Sequence, residues 1–335
     1  MRFFSRKSGP PHEETREELK KRFGLSLKAI LVLLGMLLLW PILFGIYQLG
    51  YSAYSAIDET RFPEVSPAVT AAIAEAGATP SDAAKGKVLA MAIHAQLERE
   101  LASSFGWSVN DLVIMPTRWL DNRANRQRGV IFATRMLLRF FSTNMAKLGS
   151  ADPEHPALKE CRERRLVYGE DIWGFFRASS EGEYRASVKL INAYVTDLAA
   201  GKAQFNARTD DIYNALVFID SEEFLGQALG QLVQSNDEVP YSELDDRIYY
   251  SQGAMLVVRD FLHAMMAMFP EITQRGGEEN IKVAFHEMDR ICDYDPLLVL
   301  RGDRDSLLAD HRGKMARYLV SAMKRLEDVT KSLQR

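Results

Sequence analysis

The chain has 335 residues, of which 47% are hydrophobic and 10% aromatic. That composition excludes a disordered protein and supplies enough apolar material for one large core or two smaller ones. The net charge is only -3, but it is the sum of very uneven segments.

Residues 1–28 form a basic tail. Arg2, Arg6, Lys7, Arg16, Lys20, Lys21, Arg22 and Lys28 stand against Glu13, Glu14, Glu17 and Glu18, a balance of +4. Residues 29–49, AILVLLGMLLLWPILFGIYQL, then run for 21 residues without a charge. At about 1.5 Å per residue they are long enough to cross roughly 30 Å of hydrocarbon. A single transmembrane helix is predicted there, with Pro41 tolerated inside it and Tyr47, Tyr51 and Tyr54 suited to the far interface. The basic flank predicts a cytoplasmic N-terminus and puts residues 52 onward across the membrane. A cleaved signal peptide ending near Ala53-Tyr54-Ser55 is the competing reading. The apolar run exceeds the usual signal core of about 7–15 residues, which favours a retained anchor.

Residues 50–66 read as a linker, closed by Pro63 and Pro67, and residues 67–335 as a helical domain. Apolar positions repeat at helical spacing over Val88 to Phe105, Ala124 to Leu148 and Glu183 to Ala200. Asp210 to Gln234 is helical with a break at Asp220-Ser221, where Asp220 and Glu223 offer a capping box. Ser242-x-x-Asp245 starts a helix reaching Phe269, and Glu278–Cys292 and Asp303–Leu333 follow. The one candidate strand is Asp111 to Met115. The predicted fold class is therefore all-α: an N-terminal single transmembrane helix followed by a multi-helix bundle of about eight to ten helices.

The densest polar stretch is FGWSVNDLVIMPTRWLDNRANRQRGV, residues 105–130. A structural reading gives each part a local task. Gly106 stops a helix, Asn110 and Asp111 turn the chain, and Asp121 and Asn122 cap the helix that begins near Ala124. Trp107 and Trp119 cover the bundle end. Arg118, Arg123, Asn125, Arg126 and Gln127 then remain, with more hydrogen-bonding capacity than one cap uses. Arginines beside tryptophans also suit a recognition surface. Arg128, Arg135 and Arg139 are spaced by seven and four, which stacks them on one helix face. They lie in a basic block, residues 118–165, inside an otherwise acidic domain. Either this face pairs internally with acidic helices, such as the one carrying Asp210, Asp211, Glu222 and Glu223, or it meets an anionic lipid, a wall polymer or an acidic envelope protein. An acidic domain outside the cytoplasm argues against nucleic acid.

The pattern GWSVNDL followed by DNRANRQRGV, behind an N-terminal apolar helix, resembles an uncharacterised family of bacterial membrane-anchored proteins catalogued only as a domain of unknown function. The resemblance implies an inner-membrane anchor with a periplasmic domain. It carries no catalytic residues over.

The sequence contains no HExxH, CxxC, GxSxG, Walker A or GxGxxG motif, and no cofactor is predicted. His94 and Glu98 lie one turn apart and read as a helix-surface pair. His263 to Met268 combines imidazole with thioethers, but its apolar surroundings point to a buried helix rather than a copper site. Cys161 and Cys292 are candidates for a disulfide in an oxidising compartment, with two separate thiols as the alternative. The function expected is an adaptor or scaffold whose periplasmic domain binds another envelope component. A wall-active hydrolase or lyase is the alternative, and would use a carboxylic acid of raised pKa facing a second carboxylate.

Overall fold

The computed structural model describes residues 28–43, 45–46, 65–103, 106–112, 121–149, 152–174, 176–235, 238–296, 299–302 and 308–334. The chain divides into two units, residues 1–59 and 60–335. In the first, residues 28–43 form helix α1, on which Ile30, Leu31, Leu37 and Leu38 are exposed. Among the described residues no helix is long and apolar enough to cross a membrane. The tail up to residue 27, the end of the apolar run and most of the linker lie outside the described residues.

The second unit is all-α. Its helices are α2 (Pro67–Ala76), α3 (Asp82–Ala102), α4 (Asp121–Phe140), α5 (Pro156–Glu160), α6 (Ser180–Ala199), α7 (Thr209–Ile219), α8 (Leu225–Val233), α9 (Leu244–Met268), α10 (Pro270–Gly276), α11 (Glu278–Cys292) and α12 (His311–Leu333). Among the described residues there is no strand, only an isolated bridge between Arg301 and Asp310. Asp111 and Leu112, the described part of the candidate strand, are irregular.

α9 is the central helix. It is buried on all sides, with Met255, Val258, Phe261, Leu262 and Met265 inaccessible to solvent. α4 crosses it at unusually short range. A Cβ on Gly129 would lie 1.9 Å from the Tyr250 carbonyl oxygen, and one on Gly253 would lie 2.0 Å from that of Arg126. Two glycines therefore let two backbones touch, and this crossing fixes where the polar start of α4 sits. The start of α12 is set by Asp310, whose carboxylate accepts from the Gly313 amide at 2.9 Å. The break between α7 and α8 falls at Asp220–Phe224, without the capping box, and α8 starts from Phe224. α4 ends at Phe140 in a π turn, Phe141–Met145, rather than running to Leu148.

Cys161 and Cys292 form no disulfide; both are buried free thiols. They belong to separate packing environments. Cys161 lies against the Ser187 carbonyl of α6, while Cys292 ends α11 beside α9. Burial pushes each thiol up to about 12.

Candidate binding surface

Glu100, in the last turn of α3, is buried and faces the first turns of α4. Arg126 Nε donates to it at 2.9 Å and Gln127 Nε2 at 3.2 Å, while Arg123 and Arg99 approach within 3.6 and 3.4 Å. Burial alone would raise its pKa. The guanidiniums of Arg126, Arg99 and Arg123 outweigh burial and hold it at about 2.

The same α4 residues hold the turn after α3. Arg123 donates to Ser103 Oγ and to the Gly106 carbonyl. Gln127 donates to the Gly106 carbonyl at 2.9 Å and accepts from the Ser108 amide at 2.9 Å. Gly106 adopts φ +57°, a left-handed conformation that only glycine takes at little cost. The turn in turn aims Trp107 and Asn110. Trp107 is buried edge-on to Tyr184 and donates Nε1 to the Glu170 carbonyl at 2.9 Å. Asn110 Nδ2 donates to the Ile172 carbonyl at 3.1 Å.

Both partners lie on one irregular segment, Leu166–Ser179, between α5 and α6. Arg135 holds it from the other side, donating to the carbonyls of Leu166 and Tyr168 and to Glu170 Oε1 at 2.6 Å. Ser180 Oγ donates to the Gly169 carbonyl at 2.6 Å, and Tyr184 Oη to that of Tyr168 at 2.8 Å. Tyr168 Oη closes the segment by donating to the Ala178 carbonyl at 2.8 Å. Loop backbone groups normally turn to water. Here several are taken by side chains that reach out from the bundle.

What this platform displays is apolar. Val167 is 61% exposed, Trp173 38% and Phe176 94%. Of the three, Val167 also borders a shallow cavity of about 340 Å³, lined with it by Arg128, Arg135, Tyr168, Gly169, Glu170 and Asp171.

The remaining predicted residues sit elsewhere. Asn125 links α4 to α9, donating to Asp246 Oδ1 at 2.5 Å and accepting from Arg128 Nη1 at 2.8 Å. Asp121 is exposed at the start of α4, Asn122 follows it half-buried, and Asp111 is half-buried after the turn. Arg139 pairs with Glu223 at 2.7 Å and lies over the Phe218 ring, away from the loop. Arg118 and Trp119 lie outside the described residues. Trp107, Asn110 and Arg135 thus converge on one loop, Gln127 holds the turn that carries Trp107, Arg128 borders the cavity, and Arg139 does not take part. Sequence reasoning missed Glu100, Glu170, Ser180, Tyr184 and the three displayed side chains. Only the aromatic run at Trp173–Phe176 carried a readable signal for them.

The sequence model of a family of uncharacterized proteins conserved in bacteria (DUF2333) matches residues 34–239. The chain belongs to this family. In this DUF2333 protein the matched region includes the turn after α3, α4 and the whole displayed loop, and stops short of α9. No curated protein matches the chain, and no solved structure does.

Elsewhere in the DUF2333 chain, His94 Nδ1 lies 2.8 Å from the Ala90 carbonyl and its Nε2 3.6 Å from Glu98. His263 stacks on Phe285, and burial lowers its pKa to about 4. Among the described residues no group of His, Cys, Asp and Glu is placed to hold a metal ion.

Proposed function

We propose that this protein is a single-pass inner-membrane protein whose helical domain lies in the periplasm and binds another envelope component, as an adaptor or scaffold. The anchor would be residues 29–49. The 21-residue uncharged run behind a basic tail supports it, as does the exposure of the large aliphatic side chains of α1. The single observation that carries the binding role is the loop Leu166–Ser179. Its backbone is held by Trp107, Asn110 and Arg135 while Val167, Trp173 and Phe176 face solvent. A rigid scaffold presenting an irregular loop is the usual architecture of a binding site, and exposed aromatics are its usual anchors.

The test is photo-crosslinking in living cells with the probe at Val167. A discrete adduct to one envelope component supports the reading. Absence of any adduct from a folded, abundant protein counts against it. Topology is checked by fusing at residue 335 a reporter enzyme active only outside the cytoplasm, and a silent reporter would remove the periplasmic location.

One observation favours a wall-active hydrolase as the second reading. Burial, with the charges of Asp121 and Asp245, raises Asp246 to about 6. A protonated acid beside other carboxylates is what glycan cleavage requires. If purified chain degraded peptidoglycan and Asp246→Asn did not, this reading would displace the adaptor.

A further inference from the structure

The displayed loop has a charge pattern as well as an apolar one. The bond from Tyr168 Oη to the Ala178 carbonyl draws its two limbs together. Val167 lies next to the donor of this bond in the chain, and Phe176 and Arg177 precede its acceptor; all three are exposed. Most arginines of the region are neutralised. Arg135 pairs with Glu170, Arg162 with Glu154, Arg165 with Glu160 and Glu183, and Arg185 with Glu181. Arg164 and Arg177 are exposed and make no ion pair among the described residues. Asp171 is an exposed acid of the same loop, which leaves the two arginines in excess over it.

We propose that this loop is a contact with the bilayer itself. Trp173, Phe176 and Val167 enter the boundary between headgroups and acyl chains, and Arg164 and Arg177 meet the phosphates of anionic lipid. Aromatic side chains are stable at that depth. Apolar area and basic charge add in such contacts. Two exposed cations with no ion pair among the described residues complement the phosphates of anionic headgroups. The inference rests on the anchored reading above, because a linker of residues 50–66 keeps the lipid surface at high effective concentration.

The test uses the full chain carrying Ala178→Cys, labelled with a polarity-sensitive dye. Cys161 and Cys292 are buried thiols pushed up to about 12, so the dye goes to the new cysteine. The chain is placed in nanodiscs of phosphatidylcholine, with or without phosphatidylglycerol, whose acyl chains are brominated. A second chain carries the dye at Lys202→Cys, beyond the far end of α6 and roughly 30 Å along that helix. The expected result is quenching at position 178 and none at 202, with the larger effect in phosphatidylglycerol. Arg164→Gln and Arg177→Gln are each expected to lower the anionic-lipid gain about fivefold. A dye at 178 quenched no more than the one at 202, in discs that hold the chain, overturns the loop contact and leaves the anchor standing. A chain that does not enter the discs overturns both. Equal quenching with and without the two arginines overturns their assignment to lipid phosphate.

Discussion

Glu100 is one buried carboxylate surrounded by the guanidiniums of Arg126, Arg123 and Arg99, and its removal would take a shared negative charge away from all three. Breaking a buried pair on one side costs about 3–5 kcal/mol, so Glu100→Gln is expected to lower the urea midpoint substantially. The pH dependence has a definite sign. Its pKa falls from 4.5 to about 2 on folding, so the stabilisation is fully present above 4.5. It is lost as pH drops through that range, and amounts to about 3 kcal/mol. Acid titration of the urea midpoint should show this loss in the native chain and not in Glu100→Gln. Asp260 behaves in the opposite way. It accepts from the Ser66 amide and from Gln96 Nε2, and burial raises it to about 6. A raised acid stabilises the fold at low pH, and that contribution is lost as pH rises through about 6. Asp260→Asn removes the charge, and Gln96 Oε1, which has no hydrogen-bond partner, can accept from the new amide once Gln96 turns over. The substitution is expected to raise the thermal midpoint at pH 7 and to leave it unchanged at pH 4, where the native acid is already protonated. A fall at pH 7 would show that the Asp260 charge is needed.

At the scale of the helix pair, the crossing of α4 and α9 depends on what is missing from two positions. Replacing glycine by alanine in a helix ordinarily stabilises by about 0.5–1 kcal/mol. Gly230, in α8, has nothing within 4 Å of a built Cβ, and Gly230→Ala should show that gain. Gly129 has the Tyr250 carbonyl at 1.9 Å, so Gly129→Ala must push the helices apart. Overpacking of this kind costs about 1–3 kcal/mol or more. Because Gln127, two residues away, holds the turn that carries Trp107 and Asn110, the shift should also loosen the loop that those two side chains hold. Hydrogen exchange at residues 168–172 should rise in Gly129→Ala and stay as it is in Gly230→Ala. If the two variants are equally stable, the close crossing has no energetic role. The glycine was visible in the sequence as part of RQRGV, but its reason was not. A helical glycine has the same local pattern whether a neighbouring backbone touches it or solvent does, and only tertiary placement separates Gly129 from Gly230.

Across the whole molecule, legibility followed the range of the interactions. The helical class, the break near Asp220 and α11 rest on local periodicity, and these could be read directly, whereas the last helix, expected from Asp303, starts at His311. The end of α4 was missed because its apolar stripe continues through the π turn Phe141–Met145 without a proline or glycine to mark the change. The polar stretch around residues 105–130 was recognisable as rich in hydrogen-bonding groups. Its target was not, because Glu170 and Ile172 lie some sixty residues further along the chain. Long-range placement also decides the cysteines. Cys161 belongs to the α5–α6 side of the bundle and Cys292 to the α9–α11 side, and both thiols are pushed up to about 12 by burial. Each is protected until its own surroundings open, so the pair reports whether the two sides unfold together. If the domain from residue 60 is one cooperative unit, both should react with a thiol reagent at one common rate, equal to that of global unfolding. That rate should rise in parallel for both as urea is added. Faster reaction of Cys161 would show that the α5–α6 side opens separately, and the loop platform would then be a mobile element rather than a fixed one. Because no disulfide joins the two sides, a reducing agent should leave both rates and the thermal midpoint where they are.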